Sequence, residues 1–218
     1  MKSILKLNWL IIVLLFCCTG KTAFSQTLNE FFNNSDLHIT YLGIDFSKAK
    51  LINDPEANSF DIRNKLYPSI NNVVIDEPKR FDIKAAFYKT SLGTDLTAVR
   101  EKNEKINPQD ITSLNSDDFS RFKEEDMNGI VKGLNLSGKT GIGVLIVMEG
   151  MKRQGRAGEA SMWVVILDMK SKKVLMTERF VNKAAGAGAR NFWASTIKAT
   201  LSDIERKTYK EWKAKYGS

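Results

Sequence analysis

Gly133-Leu134-Asn135-Leu136-Ser137-Gly138-Lys139-Thr140 is a full match to the G-x-x-x-x-G-K-T pattern. In a nucleotide site such a loop follows a strand and opens a helix, so that backbone amides and the helix N-terminus face the phosphates. Here a helical pattern precedes the loop and a strand pattern, Gly141-Ile142-Gly143-Val144-Leu145, follows it. The expectation is a glycine-rich connection in which Gly133 or Gly138 ends the helix, with no nucleotide bound. Ala184 to Arg190 (AAGAGAR) has the correct order, strand then glycines then helix, and is flanked by Lys183 and Arg190. It lacks the third glycine of a dinucleotide fingerprint and no further strand follows it. Its amides could hold a carboxylate or phosphate, against the simpler reading of a flexible connection.

Met151 to Glu159 (MKRQGRAGE) links two apolar strands as a basic hairpin tip. Lys152, Arg153 and Arg156 there could meet an acidic partner or lipid headgroups, or be solvated charges that discourage edge-to-edge pairing. With Lys183 and Arg190 they form the candidate binding set. The only acids that could sit in a cleft at strand ends are Asp45 and Glu149. His38 is the single histidine, so any histidine-based triad would rest on it alone. No catalytic residue is assigned. Metal ligation is not expected either, because His and Cys are too few once the leader is removed, and no cofactor is implied.

These residues need positioning elements, and the hydrophobic pattern supplies them. The first strand covers about 37–46, and a helix runs from Ser59 to about Ile75, kinked or split by Pro68. Asp82 to Tyr88 suggests a short helix and Asp95 to Arg100 a short strand. Ser116 or Asp117 opens a helix reaching about Leu134. Val144–Met148 and Met162–Leu167 are apolar enough for central strands buried on both faces. A third strand, Val174–Val181, follows the turn at Asp168–Lys172. The chain closes on a helix from about Ala189 to Lys215, with Trp193, Ile197, Leu201, Ile204, Trp212 and Tyr216 on one stripe. The expected fold class is α/β (α+β): one domain, residues 37–218, with helices on a mixed sheet of about five strands in the order β-α-(α)-β-α-β-β-β-α. Residues 26–36 are expected to be a loosely held N-terminal arm.

Residues 1–25 have the layout of a secretory signal peptide, with Lys2 and Lys6 before the apolar run Trp9–Cys18 and Ala23-Phe24-Ser25 before Gln26. The expected location is therefore the periplasm or the exterior. Membrane anchoring would follow only if Cys17 or Cys18 were lipidated, and neither has a small residue before it. Both cysteines of the 218-residue chain lie in this leader, so the mature protein would have no disulfide or thiol nucleophile. Loss of Lys2, Lys6 and Lys21 takes the formal charge from +8 to +5. That mild basic bias, not clustered with aromatics, gives no support to nucleic-acid binding.

From Gly143 to Ile204, the paired apolar strands, the Asp168-x-x-Ser171-x-x-Val174 turn, the third strand and the closing helix resemble a group of bacterial envelope α/β domains. The group includes the curli secretion lipoprotein, the outer-membrane lipoprotein activators of penicillin-binding proteins, and the amino-terminal domain of the Tol β-propeller protein. The resemblance lies in element order and carries over no functional residue. It implies a non-enzymatic role in envelope assembly through protein partners. The reading is thus a non-catalytic binding or accessory module of the bacterial envelope that meets an envelope protein or surface glycan. The alternative is a carboxylate-dependent hydrolase of an envelope polymer, with Asp45 and Glu149 as candidates.

Overall fold

The structure, a computed structural model, describes residues 22–54 and 57–217, with side chains from residue 28 onward in its first helix. Residues 1–21, including Cys17 and Cys18 of the expected leader, lie outside the described residues. The strands are β1 (Ile39–Asp45), β2 (Lys50–Ile52), β3 (Leu92–Thr94), β4 (Thr112–Ser113), β5 (Ile142–Gln154), β6 (Ala157–Asp168) and β7 (Lys173–Ala184). All seven belong to one sheet. β1 runs parallel to the first part of β5 and β2 parallel to its last part. β3 flanks β1 and β4 flanks β2, again in parallel, while β5, β6 and β7 form an antiparallel meander. The sheet is therefore mixed, as expected. Four of the expected strands are β1, β5, β6 and β7, and the unexpected ones are β2, β3 and β4, whose three, three and two residues are too short to show an apolar period.

Alternation along the long strands divides the core into two. Val144, Ile146 and Met148 of β5, with Met162, Val164 and Ile166 of β6, face one helical layer. Leu145, Val147, Trp163, Val165 and Leu167 face the other. The first layer holds α1 (Thr22–Asn33), α2 (Ser59–Asp61, a π turn at Ile62–Leu66, then Tyr67–Asp76), α3 (Ile83–Ala86) and α6 (Ala189–Asp203, a π turn at Ile204–Thr208, then Tyr209–Tyr216). The second holds α4 (Thr97–Glu104) and α5 (Asp126–Lys132). The result is a three-layer α/β/α domain, because strands apolar on both sides must be covered on both.

Pro68 does not break α2. The Tyr67 amide instead reaches back to the Ile62 carbonyl, and the widened turn accommodates a ring that would clash in a tight α turn.

Three expectations are corrected. Residues 26–36 are not loosely held: Leu28, Phe31 and Phe32 are buried, with Phe32 edge-on to Tyr209 at 5.4 Å. The period of α1 is hidden by its polar remainder. Asp95–Arg100 is not a strand but the entry to α4, where the Asp95 carboxylate accepts from the Thr97 amide at 3.1 Å and Ala98 and Val99 are buried. The helix expected from Ser116 to Leu134 is in fact a 3-10 turn, Ser116–Phe119, followed by an irregular segment and then α5. Glu149 accounts for the interruption, since its carboxylate takes the Phe122 amide at 2.5 Å and pulls the chain out of helical register.

Candidate functional site

The Gly133–Thr140 loop has the expected reversed order. Gly133 caps α5, and β5 begins at Ile142. Lys139 is paired with Asp95, a contact that holds the Asp95 carboxyl below the usual carboxylate range, mainly through the hydrogen bond from the ammonium. The lysine that would meet a phosphate is thus committed to the start of α4.

The two strand-end carboxylates are enclosed. Asp45 has no exposed surface, pairs with Lys102 at 2.7 Å, and accepts from the Ser47 amide at 2.7 Å. Glu149 is equally buried. Besides the Phe122 amide, it accepts from Ser161 Oγ at 3.0 Å and Trp163 Nε1 at 3.1 Å, with Arg179 Nε 3.5 Å away. Alternation from Leu145 and Val147 places Glu149 on the Trp163 side of the sheet, and a bulge between Met148 and Gly150 leaves it without a cross-strand partner. Gly150 permits it, because a Cβ there would meet the Phe119 Cα at 2.8 Å. Buried charges require such partners. Both carboxylates have become structural, and neither is poised beside an open substrate position.

The basic candidates gather at one end of the sheet. Cross-strand register places Lys152 opposite Glu159, and Glu159 opposite Lys183, so a carboxylate separates these two cations. Arg156 stands exposed at the β5–β6 tip, and Arg190 is exposed in the first turn of α6. Lys152 lies 5.9 Å over the Phe119 ring. Arg153 is drawn inward: its guanidinium is 5.3 Å from the Phe192 ring centroid and 3.8 Å from Asp54.

Arg153 also borders a groove of about 500 Å³ between the hairpin, α2 and the start of α6. Leu51, Ile62, Leu66 and Trp193 supply its apolar lining, and the Asp61–Lys65 pair, 2.8 Å apart, stands on the α2 side. Ile62 and Leu66 are the two ends of the π turn, so the wall of the groove is also the place where α2 widens. Sequence reasoning found Arg153 but not Leu66, Ser69 or Trp193 as groove residues. Their helical spacing shows only that they face inward, not that facing elements stop short of them.

No protein-family model matches the sequence, and neither does any curated protein. Among solved structures, a Xanthomonas campestris protein of family DUF330 aligns over 80% of this chain and 82% of its own, at 8% identity and TM-score 0.32. Lipoprotein GNA1162 of Neisseria meningitidis aligns over 77% of this chain and 99% of its own, at 12% identity and TM-score 0.30. A neuraminyllactose-binding hemagglutinin homolog from Helicobacter pylori aligns over 84% and 91%, at 9% identity and TM-score 0.30. No residue role is taken from them. No helix among the described residues is long and apolar enough to cross a membrane.

Proposed function

We propose that this chain is a non-catalytic binding or accessory module of the bacterial cell envelope, exported through its leader, whose groove receives an extended segment of an envelope protein. The observation that carries this reading is the 500 Å³ apolar groove beneath Arg153. Its floor suits an aliphatic side chain, and its rim offers both charge signs through Asp54 and Arg153, Asp61 and Lys65. That mixture matches a peptide better than a polyanion. Trp193, only 2% exposed, leaves no open ring for a sugar to stack on, which favours protein over surface glycan. The hydrolase alternative loses support because Asp45 and Glu149 are enclosed and saturated.

The test is a photo-crosslinking residue at Ser69 in cells that express the exported protein, with the joined peptide sequenced by mass spectrometry. One defined envelope polypeptide, lost when Leu66→Glu charges the floor while circular dichroism stays native, is the expected outcome. A glycan adduct, or a polypeptide adduct indifferent to Leu66→Glu, would overturn the reading.

A further inference from the structure

A second cavity, of about 300 Å³, lies where the C-terminal end of α1 meets the last turns of α6. It is lined by Phe32, Asn33, Ser35, Tyr88, Tyr209, Lys210 and Lys213. Lys210 and Lys213 stand one turn apart on the same face of α6, and neither forms an ion pair among the described residues. Lys89 lies at the same corner, 5% exposed, its ammonium donating to the Asn34 carbonyl at 2.8 Å and to the Phe31 carbonyl. Lys210 and Lys213 thus line one cavity, with the buried Lys89 near Lys213, and none of the three forms an ion pair among the described residues. Lys213 is close enough to Lys89 that, after burial, its charge is the second cause depressing the Lys89 pKa.

The wall opposite the lysines is aromatic and strained. Tyr88 holds a left-handed backbone, φ 50°, uncommon for a bulky residue and costly unless the surroundings enforce it. Its hydroxyl donates to the Glu205 carbonyl at 2.8 Å, and its ring stacks on Tyr209 at 4.7 Å while remaining 44% exposed. The Asn33 amide group donates to the Gly217 carbonyl, and its side-chain oxygen has no hydrogen-bond partner among the described residues.

We propose that this cavity is a phosphate-binding site, taking the phosphate of a small phosphorylated ligand or of an anionic lipid headgroup. Lysines bind phosphate as compact point charges, and two of them line this cavity. The volume holds a phosphate with a short carbon skeleton, which would lie against the open face of Tyr88. The site is separate from the Arg153 groove, shares none of its lining residues, and does not depend on the function proposed for that groove.

Calorimetric titration with glycerol 1-phosphate, and sedimentation with phosphatidylglycerol-containing vesicles against phosphatidylcholine vesicles, test the two sources on the full chain. Saturable binding in either arm is expected, weakened at least tenfold in Lys210→Ala/Lys213→Ala. The control Lys170→Ala/Lys198→Ala, which removes the same charge elsewhere, should leave it within twofold. Loss in the glycerol 1-phosphate arm assigns a free ligand, and loss in the vesicle arm alone assigns a lipid. Either outcome supports the site. No binding in either arm, or equal weakening by the control, would overturn it. As a second measurement, the ligand of whichever arm binds, glycerol 1-phosphate or the phosphatidylglycerol vesicle, should at saturation raise the Lys89 pKa seen by the ¹³Cε shift; an unmoved Lys89 would count against the assignment.

Discussion

Lys102 Nζ lies 2.7 Å from Asp45 Oδ2 and donates to the Ile130 carbonyl at 3.0 Å, so one ammonium ties the end of β1 to both helices of the second layer. Removing one partner of such a pair leaves an uncompensated charge where water cannot reach. Lys102→Met is expected to cost about 3 kcal/mol in urea unfolding, and Lys102→Met/Asp45→Asn less than that. Equal losses in the single and double variants would show that an unpaired Asp45 charge is not the source of the cost.

Glu149 should act as the fastener of the 119–122 segment. Glu149→Ala removes the acceptor of the Phe122 amide and of Trp163 Nε1. We expect a loss of about 3 kcal/mol, with the Phe122 amide exchanging hydrogen far faster while the β5 amides keep their protection relative to one another. Uniform acceleration across β5 would show that the segment is not locally fastened.

Much of the architecture is legible because its strands are apolar on both faces: Val144–Met148 and Met162–Leu167 announce central strands and a doubly covered sheet. The misread segments are those in which a distant group decides the outcome. Nothing near Phe122 signals that Glu149, far along the chain, will take its amide. Nothing in the polar sequence around Phe31 signals that Tyr209 will receive it. The candidate sites follow the same division. Arg153 is visible as part of a basic turn, whereas the groove beneath it exists only because α2 and α6 leave a gap. Lys210 and Lys213 carry a visible spacing, but Lys89 joins them through tertiary contact alone.

Gly43 and Asn71 form a joint requirement. Gly43 has φ 97°, and a Cβ there would meet Leu96 Cδ2 at 2.7 Å and Asn71 Oδ1 at 2.9 Å. Asn71 spans the irregularity in β1 by accepting from the Ile44 amide at 2.8 Å and donating to its carbonyl at 3.0 Å. Asn71→Ala is expected to cost about 2 kcal/mol by orphaning buried backbone groups. Gly43→Ala should cost at least as much through strain. Thermal melts of both variants check this, and a neutral Gly43→Ala would contradict the geometry.

Burial, and then the nearby Lys213 charge, push Lys89 down to about 8. The unfolded chain, with an ordinary lysine, binds the proton more tightly than the native state between about pH 8 and the ordinary lysine value of 10.5. This group's contribution to stability therefore rises with pH across that window and is least favourable below it. Lys213→Ala should move the Lys89 midpoint upward in a ¹³Cε titration, and a downward shift would contradict the assigned cause.

Lys139→Ala should change stability by less than about 1 kcal/mol, as a partly exposed pair warrants, and should raise the Asp95 pKa. Neither wild type nor variant should show an ATP-dependent thermal shift. An upward shift in wild type that vanishes in Lys139→Ala would restore the nucleotide reading.

The π turn at Ile62–Leu66 gives the groove an origin in residue count. Its Tyr67-to-Ile62 bond spans one residue more than an α-helical bond, and Ile62 and Leu66, the first and last residues of the turn, wall the groove. Deleting Arg63 or Asn64 would return α2 to ordinary pitch and leave Ile62 and Leu66 three residues apart in place of four, changing the wall they form. A length change in this turn, with every lining side chain kept, would thus re-shape the pocket mouth without altering the chemistry of its lining.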